Sequence, residues 1–109
     1  MDIEAESAVK VYLQVPKQYN CAQSVAKAFG QDDLLETLQS CGGGKAPGGM
    51  CGALYAAMLL LPEEKQEAAR QSFQERVGHT LCKPIRQENQ TKCVDCVRIA
   101  AECLSKARD

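Results

Sequence analysis

Seven cysteines set the chemical character of this chain: Cys21, Cys41, Cys51, Cys82, Cys93, Cys96 and Cys103. The acidic opening Met-Asp-Ile-Glu-Ala-Glu has no apolar signal core, so a secretory leader is not expected and a cytoplasmic setting is the default. An odd number of thiols in a reducing compartment fits a disulfide-stapled framework poorly. Clustered cysteines there point to metal binding, redox chemistry or nucleophilic catalysis. Some of them are expected to be core filler, because a free thiol buries readily as a small hydrophobe.

Cys51 follows the run Cys41-Gly-Gly-Gly-Lys-Ala-Pro-Gly-Gly-Met and is itself followed by Gly52. Five glycines between two thiols leave a loop that no helix or strand survives. A helix is expected to start at Gly52, which places Cys51 at its N-terminal end. Free amide hydrogens and partial positive charge there stabilise a thiolate and lower its pKa. Gly49 and Gly52 let the backbone approach a bound group closely, so both are candidate cofactor-binding positions. The same geometry suits a metal-bound thiolate, a redox thiol or an anion.

Cys93-Val-Asp-Cys96 is a C-x-x-C in the first turns of an expected helix. Residues i and i+3 share a face, which serves disulfide exchange and metal binding alike. No strand precedes it, as a thioredoxin-like unit requires. No second C-x-x-C exists to complete a zinc ribbon. Cys21 begins a helix, like Cys51, and Cys82 lies in a loop before Pro84. Cys21, Cys51, Cys82 and Cys93 come from four separate segments. Four thiolates can hold zinc or an iron–sulfur cluster, and here the whole fold would be needed to assemble them.

Other chemistries have little behind them. Gly-Gly-Gly-Lys45 is followed by Ala46, not Ser or Thr, so it departs from the phosphate-binding loop. The single histidine, His79, sits in a loop, where a solvated side chain is the ordinary reading of it. Net charge is −1, from 13 basic and 14 acidic residues, and no basic stripe marks a nucleic-acid binder. The longest apolar stretch, Met50 to Leu61, is too short to span a bilayer, so no membrane insertion is expected.

The elements that must position these thiols are helices. Ile3 to Gln14 reads as a weak helix, with Ala5, Ala8, Val9 and Tyr12 at helical spacing, although Val11, Leu13 and Val15 alternate like a strand. Asn20 suits an N-cap for a helix carrying Cys21, Val25 and Phe29 on one face, closed by Gly30. A short helix follows from about Asp32, with Leu34, Leu38 and Cys41 aligned. The segment from about 52 to 61 is apolar nearly all round and is expected to be a buried central helix. Pro62 ends it and suits the first position of a polar helix over Glu63–Val77, whose stripe is Ala69, Phe73 and Val77 and whose cap is Gly78. Thr91 is expected to cap a last helix, roughly 92–106, with Val97, Ala100 and Leu104 buried. On a helical wheel Cys93 falls within that stripe, and Cys96 and Cys103 fall on its edge. At 109 residues this is one domain, all-α, an irregular bundle of about five helices around the central one, with residues 1–15 read as a loosely attached segment.

Tyr-Asn-Cys21-Ala-Gln-Ser-Val, Gly-Gly-Gly before Cys51-Gly52-Ala53, then Cys82, then Cys93 with Val97-Arg98 and a closing Ala-Ala-Glu together resemble the C_GCAxxG_C_C family of redox-active cysteine proteins. The resemblance runs from about residue 19 to 103. It implies that the family's four cysteines are Cys21, Cys51, Cys82 and Cys93. Cys41, Cys96 and Cys103 are additional, and Ala56 stands where the family's Cys-Gly-Ala-x-x-Gly has its last glycine.

Three readings are therefore carried forward. The first is a cysteine-ligated metal centre, foremost an iron–sulfur cluster with zinc as the alternative, held by Cys21, Cys51, Cys82 and Cys93 and used for electron transfer or redox sensing with a redox partner protein. The second is a metal-free thiol–disulfide oxidoreductase or switch, pairing Cys93 with Cys96, or Cys51 with Cys82 or Cys41. The third is a structural or interaction module whose cysteines are inert. An electron-transfer or metal-binding role is favoured over a hydrolase or transferase. The oligomeric state is open, a dimer included.

Overall fold

The chain is represented by a computed structural model that describes residues 3–14, 19–40, 49–81, 85 and 93–108, with the backbone alone at Cys93 and Arg108. Six α-helices occur among these residues: α1 (Ile3–Tyr12), α2 (Cys21–Ala28), α3 (Leu35–Leu38), α4 (Gly52–Leu59), α5 (Glu63–Val77) and α6 (Cys93–Arg108). A 3₁₀ turn, Asp32–Leu34, leads into α3. The only β pairing in the described residues is an isolated antiparallel bridge between Met50 and Leu81. The fold is all-α, as expected, and the count exceeds five because α3 stands as a separate single turn.

Local sequence explains where most of these helices begin and end. Asn20 opens α2 with a full capping box: its side-chain oxygen accepts from the Gln23 amide at 2.7 Å, and the Gln23 side chain accepts from the Asn20 amide at 3.0 Å. Two of the orphan donors of the first turn are thereby satisfied reciprocally. Beyond the other end Gly30 takes a φ of +74°, which a side-chain-bearing residue adopts with strain. Lys27 in the last turn of α2 reaches Asp32 at 3.0 Å and ties the helix to the next turn. α5 ends at Gly78, left-handed at φ +100°, whose amide donates to the Gln74 carbonyl at 2.7 Å.

Two boundaries differ from expectation. α4 stops at Leu59, with Leu60 and Leu61 folded into a turn, because Pro62 follows and disfavours helical geometry in the residue before it. Pro62 itself is the N-cap of α5, with extended backbone at ψ 153°, and the helix proper starts at Glu63. The expected cap Thr91 and the glycine run over 41–48 lie outside the described residues.

The core has two helices at its centre. α4 contacts α2, α5 and α6, while α6 contacts α1, α2, α4 and α5. α4 is apolar all round and mostly buried, as expected of a central helix, with Leu59 at its far end 40% exposed, and α6 shares the centre with it. α6 supplies the longer buried face, through Cys96, Val97, Ala100, Ala101, Cys103 and Leu104. α5 contributes its expected stripe, Ala69, Phe73 and Val77, with Phe73 fully buried. The N-terminal segment, read as loosely attached, forms α1 along α6 and α2, with Ala5 and Ala8 buried. Alanine at both positions lets the helix backbones approach closely, which explains how a weakly amphipathic segment is held.

The buried polar groups are paired. Ser24 Oγ donates to the Asn20 carbonyl at 2.8 Å, and Gln23 Nε2 donates to the Leu35 carbonyl at 2.8 Å. No buried side-chain nitrogen or oxygen among the described residues lacks a partner. No helix among them is long and apolar enough to cross a membrane.

Candidate functional site

Cys51 is the N-cap residue of α4, where the sequence puts it. Its backbone is held on both sides. The Cys51 amide donates to the Thr80 carbonyl at 2.8 Å, beside the Met50–Leu81 bridge. Its carbonyl accepts from the Tyr55 amide at 2.9 Å and starts the helix ladder. Gly49, two residues earlier, has φ +78°, so the chain enters this clamp through a left-handed residue. A Cβ at Gly49 would meet nothing within 4 Å, so glycine is required there by its backbone, not by close packing. Gly52 is the first residue of α4 and is buried.

The Cys51 thiol is buried, and its side-chain partner is Cys96, in the second turn of α6. Cys96 is 4% exposed and Cys51 5% exposed, and both are free thiols. The N-terminal ends of α4 and α6 therefore meet sulfur to sulfur. The hydrogen bond with Cys96, and after it burial, pushes the Cys51 thiol well above its ordinary pKa. The Ala53 and Leu54 amides at the start of α4 pull the other way and lose. The expectation that the helix terminus lowers this pKa is corrected accordingly. A thiolate at a helix N-terminus is stabilised where water or a cation also reaches it, and here an apolar shell and a second sulfur surround it.

The other expected site residues are distributed as follows. Cys21 is the first residue of α2 and is buried. Its helix start is locked to the end of α3, because Asn20 Nδ2 donates to the carbonyls of Leu38 and Gln39, each at 2.9 Å. Cys93 is the first residue of α6, with only its backbone described. Cys82 and Cys41 lie outside the described residues, as do Lys45 and the glycines beside it. No three Cys, His, Asp or Glu side chains among the described residues converge to hold a metal ion. Of the expected ligand set Cys21, Cys51, Cys82 and Cys93, side-chain geometry is available for Cys21 and Cys51 alone. His79 is half-buried in the connection after α5.

The partner that sequence reasoning missed is Cys96. The wheel put it on the edge of the buried stripe of α6, which is correct, but its position opposite Cys51 is set by how α4 and α6 cross. No local pattern encodes that. Comparison with protein-family models, curated proteins and solved structures finds no match to this chain.

Proposed function

We propose that the protein works through a redox-active thiol centre where α4 and α6 meet, with Cys51 and Cys96 passing between dithiol and disulfide. One observation carries this reading: two buried thiols, Cys51 at the start of α4 and Cys96 on α6, lie next to each other, close enough for Cys96 to be the largest influence on the Cys51 thiol. The substrate class is a disulfide on a partner molecule. Cys96, as thiolate, attacks one partner sulfur; the partner's S–S bond breaks and its first sulfur leaves, taking up a proton. Cys51, which holds its proton in the resting dithiol, then loses it and attacks the Cys96 sulfur of the mixed disulfide. The Cys51–Cys96 bond forms and the second partner sulfur leaves as a thiol. In sum the pair gives up two electrons and two protons, and one disulfide becomes two thiols. Burial of both sulfurs requires the site to open locally before a partner reaches it.

The test is a redox titration in glutathione buffers, read by differential alkylation and peptide mapping. A Cys51–Cys96 disulfide forming before any other supports the reading. Cys51→Ser should then strand Cys96 as a mixed disulfide, while Cys96→Ser should leave Cys51 largely unmodified. If both residues stay reduced until the chain unfolds, the reading fails.

A second reading, a cysteine-ligated iron–sulfur or zinc centre at Cys21, Cys51, Cys82 and Cys93, is favoured by a different observation. The helices α2, α4 and α6 contact one another in every pairing. Each opens at one of these cysteines. The Met50–Leu81 bridge also lays the residue that precedes Cys82 in sequence beside the Cys51 segment. A bound cluster would supply one-electron transfer to a redox partner. Anaerobic purification followed by iron, zinc and acid-labile sulfide analysis tests it. Metal that is lost in Cys51→Ser and Cys82→Ser but kept in Cys96→Ser supports this reading; metal-free, colourless protein overturns it.

A further inference from the structure

The elements around the buried Cys51–Cys96 pair are not equally hard to move. Displacing α4 or α6 would uncover side chains with no exposure at all, among them Ala53, Leu54 and Ala57 on one helix and Val97, Ala100 and Leu104 on the other. The connection after α5 is different. Gly78 is exposed, His79 and Thr80 are half-buried, and Leu81 is 43% exposed. This same connection holds the start of α4. The Thr80 carbonyl accepts from the Cys51 amide at 2.8 Å, and Leu81 bridges the half-buried Met50. Each side of this clasp hangs from a left-handed glycine, Gly78 at φ +100° and Gly49 at φ +78°. Val77 before it is buried, and the Leu81 carbonyl accepts from the amide of Ile85, which is 1% exposed. Residues 78–81 are therefore a strap with core anchors beyond both ends, joined to the Cys51 segment by one isolated bridge.

We propose that this strap is the gate of the Cys51–Cys96 pair: it parts from Met50 and Cys51 while the helices stay packed, admits a partner disulfide to Cys96, and on closing returns Cys51 to resolve it. This rests on the dithiol reading, to which the strap adds control of access. Parting breaks a single bridge and uncovers little apolar surface, so it belongs to the low-energy end of local openings. Moving a whole helix would expose the core side chains named above. Parting also frees the backbone of Cys51, so the sulfur that stands beside Cys96 can step aside for the incoming one. Gly49 acquires a role in the closed state. A Cβ there would meet nothing within 4 Å, so glycine serves the left-handed turn into the clasp.

The experiment follows alkylation of the reduced whole chain by iodoacetamide at a series of low urea concentrations, with each thiol read separately by mass spectrometry. Cys103, 3% exposed on the seam with α5, is the internal reference, because the strap does not touch it and its sulfur faces Ser72. Cys51 and Cys96 should label faster than Cys103 and with a much shallower dependence on urea, since a local opening exposes little surface. Gly49→Ala strains the closed strap with a left-handed alanine. It should raise Cys51 and Cys96 labelling about fivefold, which is about 1 kcal/mol at 1.36 kcal/mol per tenfold. Asn20→Ala weakens the fold at α2, away from the strap, and should speed Cys103 while leaving Cys51 and Cys96 nearly unchanged. If all three thiols label together with one urea slope, only unfolding exposes the pair and the gate is overturned. It is equally overturned if Gly49→Ala leaves Cys51 and Cys96 at the native rate. These readouts need no disulfide, so the gate can fail while the Cys51–Cys96 bond still forms in the redox titration. The dithiol reading can likewise fail there while the strap opens as expected, in which case the strap governs access to the two thiols alone.

Discussion

Asn20 offers the sharpest test of how this fold holds a cysteine-bearing helix in place. Its side chain does two jobs at once. The oxygen caps α2 by accepting from the Gln23 amide at 2.7 Å, and the nitrogen donates to the last carbonyls of α3, at Leu38 and Gln39. Replacing an N-cap Asn by Ala costs about 1 kcal/mol. Each lost hydrogen bond adds about 0.5–1.5 kcal/mol, with the exposed Gln39 bond at the low end. Asn20→Ala should therefore destabilise the protein by about 2–3 kcal/mol, which for a domain of this size is a fall in Tm of roughly 10 °C or more. Asn20→Ser separates the two jobs, since serine keeps a capping oxygen and lacks the amide donor. Its loss should be about half as large. Urea unfolding followed by circular dichroism measures both. A loss under 0.5 kcal/mol for the alanine variant, or a serine variant as damaged as the alanine one, would refute the claim that one side chain joins the start of α2 to the end of α3.

Three further outcomes follow from the same structure. Because the folded pKa of Cys51 lies above the ordinary thiol value of about 8.5, the folded state keeps this proton longer than the unfolded chain. Its contribution to stability should be intact below about pH 8.5 and decline as pH rises through the folded pKa. Unfolding free energies at pH 7 and pH 10 should thus differ more for the native chain than for Cys51→Ala. Phe73→Ala empties the largest fully buried side chain of the core and should cost about 3–5 kcal/mol in urea unfolding, leaving little folded protein at 37 °C. Gly78→Ala forces a methyl group onto a residue at φ +100° and should cost about 1 kcal/mol by the same measurement, where an alanine at a right-handed helix terminus would be neutral.

What could be read from the sequence is what short-range chemistry decides. The N-cap at Asn20, the helix-closing glycines 30 and 78, and the stripe Ala69, Phe73, Val77 each follow from a few neighbouring residues, and each is present. The arrangement of helices is a different kind of information. An all-apolar segment such as 52–59 says that it is buried, not what covers it, and α6 proves to be as central as α4. The two small residues Ala5 and Ala8 give no strong amphipathic signal, yet they are what brings α1 close to its neighbours. Cys96 shows the same limit at the site. Its place on the buried edge of α6 follows from helical period, whereas its contact with Cys51 follows from the crossing of two helices far apart in sequence.

Cys51 is where these two kinds of information collide. By local rules it is an activated thiol, because it precedes the free amides of α4. By tertiary environment it is a restrained one, because Cys96 and burial outweigh those amides. The restraint bears on both functional readings. As the resolving member of a dithiol, Cys51 has to keep its proton until a mixed disulfide forms on Cys96, and a raised pKa keeps it from reacting first. As a metal ligand it has to give up that proton on binding, so burial opposes loading unless the metal replaces the lost hydration and holds further thiolates. The dithiol reading uses the Cys51–Cys96 contact as it stands. The metal reading has to break it, since Cys51 would turn from Cys96 toward ligands on other segments. This is the physical reason for ranking the dithiol first, and it makes Cys96 the residue on which the two readings part.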